Sequence, residues 1–138
     1  MKEIKFRGNR VNNGKWVYGL PLYSVVGAKV IIDTIQSYED LRYYTVIPET
    51  VGQFTGLHDE KGKEIYEGDI VVFEDMTSTE SGYWGRDCIG IVVWGEETAA
   101  FEVTNRLSAE SYEVLSDCEV IGNIHTNPEL LKEVSYEA

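Results

Sequence analysis

Histidine and cysteine are scarce in this chain of 138 residues, which contains two of each. The cysteines, Cys88 and Cys118, match neither a zinc-binding spacing nor a redox motif. Both stand in apolar strand-like runs, which indicates small core residues. His58 and His125 belong to no paired-histidine metal motif and to no serine- or cysteine-centred motif for nucleophilic catalysis. The sequence therefore predicts no cofactor, no metal site and no enzymatic activity.

Long apolar runs are absent as well. No stretch approaches the ~18 consecutive apolar residues of a membrane span. The opening MKEIKFR has no apolar run after its charges, unlike a signal peptide. We expect a cytoplasmic protein without a membrane partner.

Basic residues are outnumbered two to one, with twelve Lys and Arg against twenty-four Asp and Glu and a net charge of −12. The imbalance is uneven, because residues 1–42 carry a net +3 and residues 43–138 a net −15. Such an acidic surface repels nucleic acid unless a local basic patch overrides it. We expect any nucleic-acid contact to involve the N-terminal part.

Aromatic and β-branched residues are plentiful, including nine tyrosines, and they favour strands. Alternating apolar runs between turn signals predict about nine short strands, beginning with a hairpin around Asn12-Asn13-Gly14. A short C-terminal helix is predicted, capped by Asn127 with Pro128 at its first position. The predicted fold is all-β, a small antiparallel barrel or sandwich. We expect an N-terminal β subdomain over residues 1–50 and an SH3-like barrel over residues 51–138, sharing one core.

Five carboxylates crowd the middle of the chain and form a candidate metal site: Asp59, Glu60, Glu64, Glu67 and Asp69. Hard cations prefer such ligands. However, the spacing is not that of a calcium loop, and Lys61 and Lys63 compete for the carboxylates. A solvated hairpin tip is the simpler interpretation.

The N-terminal strands mix cations with aromatics in a pattern typical of nucleic-acid binding: Lys2, Lys5, Arg7, Arg10, Lys15, Trp16 and Tyr18. The alternative is structural, because Trp16 and Tyr18 alternate like core-facing strand residues.

A long polar loop is predicted over residues 75–88. It carries Tyr83, Trp84 and Arg86 beside two glycines, and residues of these three types are frequent anchors in protein interfaces. These three residues are the candidate binding site for a protein partner. The alternative is that Trp84 folds back onto the barrel.

Three stretches resemble the YopX family of phage and prophage proteins. They are IKFRG at residues 4–8, QFTGLHDEKGKEIYEGDIV at residues 53–71 and VIGNIHTNPELL at residues 120–131. The resemblance implies a mainly-β fold, a phage or prophage origin and homo-oligomers. The expected location is then the cytoplasm of the host cell. It brings no catalytic residues and no established activity.

The interpretation that fits all of these features is a non-enzymatic phage accessory protein. It would bind a host or phage protein and other copies of itself. The alternative is a small nucleic-acid-binding regulator that uses the basic N-terminal strands.

Overall fold

A computed structural model describes residues 3–23, 29–33, 42–75, 86–104, 111–113 and 117–131. The chain divides into two compact units, Met1–Gly56 and Leu57–Ala138. The predicted boundary after residue 50 lies six residues before this division. The shared core stays a prediction.

The first unit is an antiparallel sheet. Its strands are β1 (Phe6–Asn9), β2 (Trp16–Tyr23), β3 (Lys29–Asp33), β4 (Arg42–Val46) and β5 (Gly52–His58), whose last two residues belong to the second unit. They lie in the order β4-β3-β2-β1-β5. The predicted β1–β2 hairpin is confirmed, and Gly14 provides the positive φ of 68° in its connection.

The end of β4 returns to the end of β1. Val11 donates its N–H to the Thr45 carbonyl at 3.1 Å, and Ile47 donates to the Asn9 carbonyl at 2.9 Å. A 3₁₀ turn, Pro48–Thr50, follows. Its Thr50 hydroxyl accepts the Asn9 N–H at 2.9 Å and donates to the Ile47 carbonyl at 2.6 Å. These hydrogen bonds fix the turn against β1.

Six strands are described in the second unit. They are β6 (Glu64–Tyr66), β7 (Asp69–Asp75), β8 (Arg86–Gly95), β9 (Ala100–Thr104), β10 (Ser111–Glu113) and β11 (Cys118–Asn123). β6 lies beside β5, and the other five form an antiparallel sheet in the order β10-β9-β8-β7-β11. β7 to β10 form a four-strand meander, and β11 pairs with β7 at the other side of the meander.

The core of the second unit comes from alternate positions on these strands. Directly opposed residues share a face of a sheet, so the pairs Val71–Val120 and Val92–Val103 each contribute side chains to the same side. The buried cluster consists of Ile65, Val71, Val92, Val103, Cys118 and Val120, with Leu57, Phe73 and Phe101 packed against it.

The all-β prediction is confirmed, with eleven described strands. β4 and the three-residue β6 were not predicted. Neither sheet forms a closed barrel in the part of the chain that the structure describes. The described part likewise contains no helix with the length and apolarity to span a bilayer.

Two predicted segments differ in detail. Asp75 and Arg86 are paired at the ends of β7 and β8, so the predicted loop over residues 75–88 begins later and ends earlier. The chain is helical over residues 129–131 as expected. However, Asn127 Oδ1 accepts hydrogen bonds from the Asn123 N–H and the Thr126 hydroxyl, so this side chain closes the preceding turn.

Candidate functional site

The carboxylate of Asp59 lies at the tip of the β5–β6 hairpin and is buried, with 6 % of the residue exposed. Its Oδ1 accepts the backbone N–H groups of Lys61 at 2.9 Å and Lys63 at 2.8 Å. Its Oδ2 accepts the N–H of Val120 in β11 at 2.9 Å. The interpretation as a solvated tip is therefore wrong for Asp59, although it holds for the exposed Glu60.

Backbone hydrogen bonds control the charge of this group. Burial raises the pKa of the Asp59 carboxyl, but the bonds from Val120, Lys63 and Lys61, together with the Lys63 charge, lower it by more. The pKa consequently lies below the ordinary value of 3.8. Asp59 stays ionised at neutral pH and functions as an acceptor for the backbone.

The same hairpin tip covers the outer edge of β11. Glu60 donates its N–H to the Cys118 carbonyl at 3.0 Å, and Lys61 Nζ lies 2.8 Å from Glu119 Oε1. Both charged groups of that ion pair remain partly in solvent, so screening weakens it. The tip satisfies edge groups of β11 that would otherwise be open to pairing with another chain.

Asp69 is a second buried carboxylate, with 1 % of the residue exposed. Its Oδ2 accepts the Tyr66 N–H at 2.7 Å and closes the turn between β6 and β7. Within that turn Gly68 has a φ of 94°. The solvated interpretation is wrong here too. No three His, Cys, Asp or Glu side chains come together as a metal site among the described residues.

The two cysteines occupy one row of the second sheet. Cys118 is paired with Phe73, and Phe73 is paired with Cys88, so β7 separates the cysteine backbones. Two strand spacings amount to about 9–10 Å, more than a disulfide can bridge. Burial, with a contribution from the nearby carboxylates of Asp59 and Asp117, raises the pKa of the Cys118 thiol to about 11.

The basic and aromatic residues of the N-terminal strands stack on one another. The Arg7 guanidinium lies 4.6 Å from the centre of the Trp16 ring, and the Arg10 guanidinium lies 4.6 Å from that of Tyr44. Arg7 itself is buried. These cation–π contacts place both guanidinium groups against rings of the same unit.

Four large apolar side chains of the first unit are exposed on one side of its sheet. We call this surface the β2–β4 face: Tyr18, Leu20, Leu22 and Tyr43, which are 38–59 % exposed. The register places Leu20 beside Ile32 and Ile32 beside Tyr43, so β2 and β4 contribute to one row. The expectation that Tyr18 faces the core is wrong, whereas Trp16 is half-buried under Arg7.

An exposed tryptophan stands at the end of the β8–β9 hairpin in the second unit. Trp94 is 45 % exposed, and its ring packs edge-to-face on Phe101 with the ring centres 5.0 Å apart. The turn that follows carries the exposed Glu96 and Glu97. We call these three residues, Trp94, Glu96 and Glu97, the β8–β9 tip.

Comparison with known proteins identifies the chain at the level of its family. The family model described as "YopX protein" matches residues 5–132, nearly the whole sequence. The chain belongs to the YopX family.

A crystal structure of a similar protein supports the fold of this YopX protein. The crystal structure of protein EF1440 from Enterococcus faecalis is 24 % identical, with a TM-score of 0.52. The similarity covers 95 % of this chain and 99 % of that one. At this identity the likeness shows the fold alone. No curated protein matches the chain.

Of the three residues predicted from sequence to anchor a protein partner, only Arg86 lies in the described part of this YopX protein. Tyr83 and Trp84 lie outside the described residues. Arg86 begins β8, opposite Asp75. Sequence reasoning missed the β2–β4 face, although the alternation of Leu20 and Leu22 around Pro21 was a usable signal.

Proposed function

We propose that this YopX protein is a non-enzymatic protein–protein interaction module. The β2–β4 face is the observation that carries the proposal. Single exposed apolar side chains are ordinary, but several adjacent ones on a sheet are typical of a contact surface. Tyrosine is also enriched in interfaces, because its ring combines apolar area with a polar end.

The buried acids support binding over catalysis. Catalytic carboxylates are usually identified by burial and a pKa shifted toward the working pH. Asp59 is buried, but its hydrogen bonds from the backbone lower its pKa away from neutrality. Asp69 accepts the N–H of Tyr66 inside a turn. Both positions are accounted for by the fold.

Nucleic-acid binding, the alternative function, has less support. Arg7 and Arg10 lie over Trp16 and Tyr44, so a phosphate backbone would have to compete for cations already placed on rings. Titration with single-stranded DNA at low and high salt discriminates the two functions. Binding that falls steeply as salt rises would favour the alternative.

The family resemblance extends the proposal to a biological setting. A phage or prophage accessory protein in the host cytoplasm would use this face on a host or phage protein, or on another copy of itself. The strong acidity of the second unit suits a basic partner, because opposite charge accelerates encounter.

Affinity capture from infected host cells tests the function. The variant Leu20→Ser/Tyr43→Ser should recover the wild-type partner in greatly reduced amount. Val11→Ser is the matched control, because Val11 is an exposed apolar residue of the same unit outside the face. Undiminished recovery by the face variant would count against the proposal, and Trp84→Ala tests the predicted loop separately.

A further inference from the structure

We propose that the β2–β4 face of one copy binds the β8–β9 tip of a second copy. The inference rests on the proposed function and names both sides of one contact. Two different surfaces would meet, so the contact joins the first unit of one molecule to the second unit of another.

The charges of the two units are opposite. Residues 1–56 contain seven Lys and Arg against five Asp and Glu, a net charge of +2. Residues 57–138 contain five against nineteen, a net charge of −14. Each copy carries a net charge of −12, so contact between unlike units meets less repulsion than contact between two acidic units.

Local charge follows the same pattern. Lys5 precedes Phe6, whose partner is Gly19, so Lys5 comes level with Leu20 at the margin of the β2–β4 face. Its ammonium lies 3.5 Å from Glu3 Oε2 and 5.3 Å from the centre of the Phe54 ring, so it already has partners within the chain. The β8–β9 tip presents Glu96 and Glu97, both exposed. In the contact a carboxylate from the tip would replace the exposed Glu3 as the partner of Lys5.

Apolar groups are complementary as well. Trp94 offers a large ring, and its edge-to-face contact with Phe101 restrains it before binding. Restraint lowers the entropy lost on association, and tryptophan is enriched among interface anchors. Leu20, Leu22 and Tyr43 provide an apolar surface on which such a ring can be desolvated.

A contact between unlike surfaces leaves one free face and one free tip in every pair of copies. Further copies can therefore add head to tail until a ring closes. The assembly should grow with protein concentration, and moderate salt should favour it, because salt screens the repulsion between copies that each carry a net charge of −12.

Light scattering on the purified chain at physiological salt tests the contact, because this ionic strength screens the repulsion between copies of net charge −12. The wild type should reach masses above a dimer, whereas Leu20→Ser/Tyr43→Ser and Glu96→Lys/Glu97→Lys should each remain monomeric. Mixing these two variants should restore a dimer and nothing larger, because each supplies the surface that the other lacks. Glu129→Lys is the control for charge, since Glu129 is exposed in the second unit and is not one of the tip residues.

A monomeric wild type at high concentration would overturn the inference, as would assembly that the tip variant leaves unchanged. Equal weakening by Glu129→Lys would also overturn it, because net charge alone would then explain the association. A monomer that still captures a cellular partner through the β2–β4 face would leave the proposed function standing.

Discussion

Asp59 Oδ2 accepts the backbone N–H of Val120 at 2.9 Å, although the two residues are 61 positions apart. The bond joins the β5–β6 hairpin tip to β11. Since Oδ1 holds two further N–H groups, one carboxylate shapes the hairpin and attaches it to the strand.

Removing that carboxylate should destabilise the protein severely. Asp59→Ala loses three charge-assisted hydrogen bonds and leaves the Val120 N–H in a buried place without its acceptor. We expect the free energy of unfolding to fall by about 3 kcal/mol or more. Urea denaturation measures this loss. Glu60→Ala, at the exposed neighbouring carboxylate, should stay within about 0.5 kcal/mol of the wild type, and similar losses in the two variants would refute the assignment.

Low pH should abolish the stability that the ionised Asp59 contributes to the folded protein. Its pKa in the folded protein lies below 3.8, so the folded state favours the ionised form. The resulting stability is present above the unfolded pKa and is lost as pH falls through the folded pKa. We would measure the unfolding free energy of the wild type and of Asp59→Asn at several values between roughly pH 6 and pH 2. The difference between the two proteins should shrink as the pH falls, because the Asp59 carboxylate becomes protonated. A difference independent of pH would contradict this role.

Cys118 should be unreactive until the protein unfolds. Its thiol has a pKa of about 11, so little thiolate forms near neutral pH. The neutral thiol is favoured in the folded state, and its contribution to stability should be lost as pH rises from the ordinary thiol value of 9.0 toward about 11. A Cys88→Ser variant isolates the reaction of Cys118 with an aromatic disulfide reagent. Labelling as fast in buffer as in urea would be inconsistent with the buried position.

Sequence patterns predicted the parts of the fold that depend on near neighbours. The β1–β2 hairpin follows from its Asn-Gly turn, and the long apolar runs of β7 and β8 are visible directly. β6, with three residues, is too short to show a period. β4 directly follows a stretch whose sequence pattern is ambiguous. Its aromatic and β-branched residues were therefore not recognised as a strand of their own.

Positions defined by distant partners could not be predicted in this way. Nothing near Asp59 in the sequence indicates Val120, so a carboxylate among lysines was interpreted as solvated. Tyr18 shows the opposite error, since it was expected in the core and is exposed. Alternation predicts which strand residues share a side of the sheet, but it does not predict which side other residues cover. The alternation of Leu20 and Leu22 is visible in the sequence, but only the register of β2, β3 and β4 shows that Tyr43 lies on the same side.

Gly90 should tolerate no side chain. An added Cβ would lie 2.5 Å from Val103 Cγ1 and 2.8 Å from the Thr104 carbonyl oxygen, and the backbone atom cannot move away easily. Gly90→Ala should cost about 1–3 kcal/mol in unfolding free energy, as overpacked cores do. Thermal denaturation of the double variant Gly90→Ala/Val103→Ala should show no full rescue, because the clash with Thr104 remains.

Gly62→Ala is the comparison for that variant. Gly62 has a φ of 85° but open space around it, so alanine there meets only backbone strain. We expect a loss of about 1 kcal/mol. A Gly90→Ala protein as stable as the wild type would show that β8 and β9 are not packed as closely as the structure indicates.

Hydrogen exchange tests most directly the claim that this chain acts through contact by its β2–β4 face. Amide exchange would be measured by mass spectrometry on the purified chain alone and with the partner that it captures, or at dilute and concentrated conditions if the partner is itself. We predict slower exchange in peptides that cover β2 and β4, and no such change in the Leu20→Ser/Tyr43→Ser variant. Protection confined to other strands, with β2 and β4 unaltered, would contradict the account.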